Sequence, residues 1–179
     1  REWSTRRSRS STPPVQPDAS ETVWKGRLLA VTVEQWGGYT REVVEHPGAV
    51  TIVAVDGDGN VAFVRQPREA TRRRLLELPA GTRDKPDEDP LATAQRELRE
   101  ECGLTGGTWT RLGGFWTTPG FTREYMDVFL AEGVDAGEAA PEPDEDLELV
   151  LWHVDEIRAR LGEIEDAKTL ASLLLFFSR

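Results

Sequence analysis

GTRDKPDEDPLATAQRELREECGL, running from Gly81 to Leu104, is the most strongly patterned run in this 179-residue chain. At about 100° per residue, Glu97, Glu100 and Glu101 fall on one helical arc of about 100°. Leu91, Ala94, Leu98 and Cys102 fall on a second arc centred roughly 115° away, so one face packs and another gathers carboxylates. Asp89 is placed to cap the helix, and Pro90 takes the first position, where a missing N–H costs nothing. Gly103 closes the end. Ahead of the helix, Leu75-Leu76-Glu77-Leu78 has the pattern of a short strand and is followed by Pro79-Ala80-Gly81.

Three carboxylates within a turn and a half repel one another. Such a run either lies on a solvated acidic face or is held together by a divalent cation. Mg²⁺ takes oxygen ligands and binds through a few carboxylates plus substrate phosphates. A strand, a glycine loop and an acid-faced helix in succession favour the second reading over a plain charge run.

These residues resemble the Nudix box, G-x5-E-x7-R-E-U-x-E-E-x-G-U, where U is a large apolar residue. From Glu88 the match runs without a break through Arg96-Glu97-Leu98-Arg99-Glu100-Glu101-Cys102-Gly103-Leu104. The departure lies in front, where six residues rather than five separate Gly81 from Glu88. An extra residue in the run Asp84-Lys85-Pro86-Asp87 accounts for it and bears on the loop and on Glu88, not on the helix. The resemblance implies an α/β fold, a Nudix α/β/α sandwich with a mixed β-sheet, preceded by an amino-terminal β-hairpin region.

Outward from the box, Val50 to Val55 is nearly all apolar, as in a strand buried on both faces. Asp56 to Asn60 is a hairpin turn, and Val61 to Gln66 returns. Thr108 to Trp116, Tyr125 to Ala131 and Leu147 to Trp152 are further strands. Residues 22 to 36 read as one β-rich stretch, with Val23, Leu29, Val31 and Val33 alternating. Gly37-Gly38 turns it back into Tyr39 to Glu45. Val154 to Arg160 reads as a short helix. Asp166 is expected to cap a last one whose Ala167, Leu170, Ala171, Leu174 and Phe177 form an apolar stripe. Residues 1 to 20 are Ser-, Arg- and Pro-rich without periodicity and read as a disordered tail, leaving residues 21 to 179 as one domain.

The net charge is -10, with +2 in residues 1 to 20 and -12 in the rest. Such a surface repels nucleic acid and anionic membranes, and an anionic substrate needs a metal or a local basic cluster to approach it. The single cysteine, Cys102, excludes an intrachain disulfide and fits a cytoplasmic protein. Its place on the packing face suits a small buried side chain better than a nucleophile. No run reaches the length of a membrane span.

Two further segments narrow the resemblance to ADP-ribose pyrophosphatases. Val64-Arg65-Gln66-Pro67-Arg68 with Leu75 to Gly81 is similar to the segment before the box in that subfamily. Thr117-Thr118-Pro119-Gly120-Phe121-Thr122 is similar to its proline loop, with Pro119 lying 15 residues beyond Leu104. The resemblance implies Mg²⁺-dependent cleavage of ADP-ribose to AMP and ribose 5-phosphate, with Mn²⁺ as a second metal. Another nucleoside diphosphate sugar, a nucleoside triphosphate, or an ADP-ribose sensor without turnover are the alternatives. Glu97, Glu100, Glu101 and the Ala80 carbonyl are the metal ligands it implies, with Glu100 and Glu101 counted also as catalytic. A base is implied on a late loop, where Glu145 fits best and Glu142 is second. Arg68 is expected on the diphosphate and Glu77 on an adenine or ribose edge, unless both are surface ion-pair members. Pro119 and Gly120 are expected at the substrate. Arg96 is expected to tie the loop to the helix through Glu77 or Glu88. The resemblance also implies a homodimer that exchanges the region of residues 21 to 46, where Trp24 and Trp36 either stack adenine or are buried between subunits.

Overall fold

Every second residue of the central strands serves one helical layer and the residues between serve the other. The computed structural model describes residues 15–85, 87–137 and 146–179. Strand β4 (Ala49–Asp56) and strand β5 (Asn60–Arg68) form the centre. Val50, Ile52 and Ala54 pack with Ala94, Leu98 and Cys102 of helix α1 (Pro90–Cys102). Val53, with Val61 and Phe63 of β5, packs instead with Ile157 of α2 (Val154–Arg160) and Leu173 and Phe176 of α3 (Ala167–Phe177). This period-two alternation puts one helix on one face of the sheet and two on the other. Burying a side chain such as Leu98, which has no exposed surface, stabilises the fold by about 1.5–3 kcal/mol.

The sheet adds β6 (Arg73–Glu77), β7 (Ala80–Thr82), β8 (Leu104–Trp116), β9 (Tyr125–Ala136) and β10 (Glu148–His153), seven strands among the described residues. Its order is β10-β5-β4-β9-β8, with β6 on β5 and β7 on β4. β4 and β9 run parallel and the other pairs antiparallel, so the sheet is mixed. β4 and β5 pair only at Val55 and Val61, next to their turn. Beyond that point β4 turns its edge to β7 and β5 to β6, and the two central strands fork. The fork is what opens the cleft described below.

A separate three-stranded sheet is formed by β1 (Ala19–Lys25), β2 (Ala30–Trp36) and β3 (Tyr39–Glu45). The expected single stretch over residues 22 to 36 is thus two strands, the first beginning at Ala19. Gly26 breaks the stretch: its N–H donates to the Leu29 carbonyl at 2.8 Å, closing a turn. The Trp24 ring folds over Gly26, in space that a Cβ would need. Arg123 ties this sheet to the main body through Glu34 at 2.5 Å and Glu45 at 2.7 Å.

The capping of α1 matches its sequence. Asp89 accepts the Leu91 N–H, Pro90 opens the helix, and Gly103 closes it in the left-handed conformation. Asp87, with φ of 65°, absorbs the extra loop residue ahead of it, a conformation that Asp tolerates. The stripe expected on the last helix is corrected. Thr169, Ser172, Leu173 and Phe176 face inward, while Leu170 and Leu174 are 36% and 67% exposed. A polar anchor sets this rotation. The Thr169 hydroxyl accepts the Leu78 N–H at 2.9 Å and donates to Asp166 at 2.7 Å. Among the described residues no helix is long and apolar enough to cross a membrane.

Candidate active site

The fork between β4 and β5 opens into a cleft of about 500 Å³, a volume in the range of small-molecule sites. From the α1 side, Glu97, Glu100, Glu101 and Arg96 line it. Ala80, Gly81 and Thr82 of β7 lie along it, and Gln66 and Arg68 enter from β5. Lys168 reaches in from α3, Arg27 and Leu28 from the β1–β2 turn, and Glu124 from the segment before β9.

On α1 the acids outnumber their cation. Arg96 stands 2.9 Å from Glu97 and 2.8 Å from Glu100, with Glu88 at 3.5 Å and Asp84 at 3.9 Å. Burial works against the Arg96 charge, but Glu100, Glu97 and Glu88 outweigh it and hold the guanidinium protonated more firmly than a free arginine. Of the two partners expected for Arg96, Glu88 is found and Glu77 is not. Glu88 also accepts the Thr93 hydroxyl at 2.9 Å. That bond, with Arg96, draws its carboxyl below the usual range. Glu101 is buried and accepts the Ala80 N–H at 3.1 Å, fixing the β7 backbone against the helix. A Cβ at Gly81 would stand inside the Glu97 carboxyl, so a residue without a side chain is what lets the loop and helix meet.

These hard oxygen donors around one cleft suit a hard divalent cation in their chemistry. Among the described residues no three His, Cys, Asp or Glu side chains converge on one point as they stand. Arg96 lies against both Glu97 and Glu100 and draws them toward itself.

On the other side of the fork the charges are matched. Arg68 donates from Nε and Nη2 to the two oxygens of Glu77 at 2.9 and 2.7 Å. Glu77 is 1% exposed and does not line the cleft. Both of its oxygens accept from Arg68, so the two expected site residues meet as an ion pair that is buried at Glu77 and partly exposed at Arg68. Lys168 lies 2.7 Å from Asp166 and 3.9 Å from Glu77. Burial tends to raise the Asp166 carboxyl, but Lys168 and the Thr169 hydrogen bonds outweigh it and leave it lowered.

Pro119 and Gly120 are exposed and do not line the cleft. Their turn is held to the amino-terminal sheet, the Phe121 carbonyl accepting the Val44 N–H at 2.7 Å. Glu142 and Glu145 lie outside the described residues. Trp24 is 55% exposed. Cys102 is buried, and burial with the nearby Glu101 charge pushes its thiol up, which leaves it unreactive.

The sequence reasoning did not single out Gln66, Lys168, Arg27 or Glu124 as site residues. Gln66 stood in a segment quoted for its resemblance, but nothing local marked its side chain. Glu124, five residues beyond Pro119, had the nearest signal. Its carboxylate accepts the Thr117 hydroxyl at 2.6 Å and lies 3.6 Å from His46.

The NUDIX domain family model matches residues 45–173. The ADP-ribose pyrophosphatase of Mycobacterium tuberculosis is 42% identical over 165 residues, covering 87% of this chain and 80% of that one. The ADP-ribose pyrophosphatase of Bacillus subtilis is 38% identical over 160 residues, covering 84% and 86%. A solved structure described as an ADP compounds hydrolase shares the fold, with a TM-score of 0.77 at 23% identity, over 91% of this chain and 92% of that one.

Proposed function

Since this chain belongs to the NUDIX domain family and is a Nudix hydrolase, we propose that it hydrolyses the diphosphate bond of ADP-ribose, giving AMP and ribose 5-phosphate. One observation supports this above the others: the fork sets an acid-rich helix and the cations Arg68 and Lys168 around one cleft. Glu97, Glu100, Glu101 and the Ala80 carbonyl would hold the metal, Mg²⁺ in our reading with Mn²⁺ as a substitute. Bound there, the cation supplies the positive charge against which the diphosphate is neutralised.

The chain's own groups do the rest. Arg68 uses two of its three nitrogens on Glu77 and keeps its plane fixed in the cleft wall. The remaining nitrogen, Nη1, is the one assigned to a phosphate oxygen. Water adds to one phosphorus, the bridging P–O bond breaks, and the leaving oxygen takes the electron pair as part of the second phosphate. The proton lost by the water passes to Glu145, our assignment for the base. Glu145→Gln is expected to lower turnover at least about 100-fold with little change in substrate affinity; near wild-type turnover would remove Glu145 from the mechanism.

We further read the amino-terminal sheet as the seat of a homodimer. Every residue of β1 is exposed, including Val23 and Trp24, and an uncovered edge strand of this kind is suited to pairing. Sedimentation of the intact chain tests that.

The deciding assay incubates the protein with ADP-ribose, ADP-glucose, NADH and CTP in Mg²⁺ or Mn²⁺ and identifies the products. AMP and ribose 5-phosphate in equal amounts, with ADP-ribose preferred, is the expected result. Preference for another of the four substrates, or binding of ADP-ribose without turnover in either metal, overturns the proposal.

A further inference from the structure

Gln66 and Lys168 line the cleft and have no task in the scheme above. Gln66 on β5 is 6% exposed and faces the cleft, and its amide Nε2 is buried without a hydrogen-bond partner. Native folds pair buried polar groups, because a buried donor left unpaired has lost its water partner and gained none. Such a donor beside a cleft that takes an oxygen-rich anion has an evident acceptor. Lys168, in the first turn of α3, is the second group. Asp166 and Glu77 orient its ammonium, and an ammonium has three N–H donors. Asp166 lies close enough to take one, and Glu77, at 3.9 Å, holds it only electrostatically.

We propose that Gln66 and Lys168 contact the substrate, donating N–H bonds from β5 and α3 to phosphate oxygens of a nucleoside diphosphate sugar on the side of the cleft away from the α1 carboxylates. This deepens the reading of the protein as an ADP-ribose hydrolase and rests on it. The physical logic is one of charge. A cleft edged by Glu97, Glu100, Glu101, Asp84 and Glu124 repels a diphosphate. With the Arg68 charge shared with Glu77, the Gln66 amide and the Lys168 ammonium provide further donors near the same wall.

The test measures the dissociation constant of ADP-ribose by calorimetry with divalent ions chelated, so that binding is read apart from turnover, and then KM and kcat with Mg²⁺. Gln66→Leu is expected to weaken binding by about tenfold or more, the loss typical of a hydrogen bond to a charged group. Its thermal stability is expected to hold or rise, because an unpaired buried amide has been replaced by an apolar group of similar size. Lys168→Met leaves Asp166 buried beside no ammonium, so the informative variant is Asp166→Asn with Lys168→Met, in which the asparagine still caps α3. It is expected to bind at least about tenfold more weakly, while Lys168→Arg, which keeps the charge, stays within about threefold of wild type. In each weakened variant KM rises more than kcat falls. Folded Gln66→Leu and Asp166→Asn/Lys168→Met proteins that bind ADP-ribose within twofold of wild type overturn the inference and leave the proposed activity standing. A wild-type protein that neither binds nor cleaves ADP-ribose overturns both.

Discussion

Two acid clusters meet at one cleft and are built on opposite principles. Around α1, Asp84, Glu88, Glu97 and Glu100 gather at the guanidinium of Arg96, with Arg99 also 3.5 Å from Glu100. Across the fork, Glu77 has Arg68 to itself and Asp166 has Lys168, and the second pair is completed by Thr169. The matched cluster is buried at its acids, and each carboxylate oxygen of Glu77 and Asp166 has a donor. That arrangement holds β6 and α3 in register and gains nothing from a further ion. The unmatched cluster has surplus negative charge at the lip of a cavity, an arrangement that a divalent cation relieves. The two clusters differ in the ratio of acids to bases more than in the number of acids.

Breaking each cluster should therefore give different kinds of damage. The largest effect is expected from Glu97→Gln or Glu101→Gln, which should lower turnover at least about 1000-fold, the loss of several kcal/mol of transition-state charge stabilisation. Their melting temperatures should move little for Glu97, and a melting scan beside the rate assay checks both halves. Next is Gly81→Ala. Its methyl group displaces the Glu97 carboxyl without any need for an unusual backbone angle, and misplacement of about 1 Å costs on the order of 100-fold in rate. Steady-state kinetics of a folded Gly81→Ala protein decides it; unchanged kcat would show that Glu97 has room to move.

The matched cluster should respond in stability instead. Thr169→Val leaves the Leu78 N–H buried without an acceptor, a loss of about 1–3 kcal/mol in urea unfolding, with turnover changed far less. The smallest effect is in pH. The folded Asp166 carboxyl titrates below its unfolded value, so its contribution is complete above the usual aspartate pKa of about 3.9 and is lost as pH falls through the lower folded value. Asp166→Asn should flatten that acid limb of the stability curve and leave the curve near neutrality parallel to wild type.

How much of this could be read from the chain follows from the range of each interaction. The Asp89 cap, Pro90, Gly103 and the buried face of Ala94, Leu98 and Cys102 are legible because capping and periodicity act within a few residues. The cofacing of Glu97, Glu100 and Glu101 is legible for the same reason. The face of α3 is not. Its rotation is fixed by a hydrogen bond between residues 91 apart, and polar Thr169 and Ser172 go inward in place of Leu170 and Leu174. The partner of Glu77 stays open in the sequence because two arginines compete for it, and the pairing of β5 with β6 brings Arg68 to it. Lys168 enters the cleft from far along the chain and carries no local signal. The turn at Pro119 and Gly120 is drawn to the amino-terminal sheet by the Val44 backbone, and no property of those two residues announces that.

On the proposed reading, the surplus carboxylates of α1 form a cation site. Titrating Mn²⁺ into wild type and into Glu97→Gln/Glu101→Gln, with free Mn²⁺ followed by electron paramagnetic resonance, tests it most directly. Saturable binding by wild type that weakens at least about 100-fold in the double variant is the result expected. Equal binding curves for the two folded proteins would contradict it.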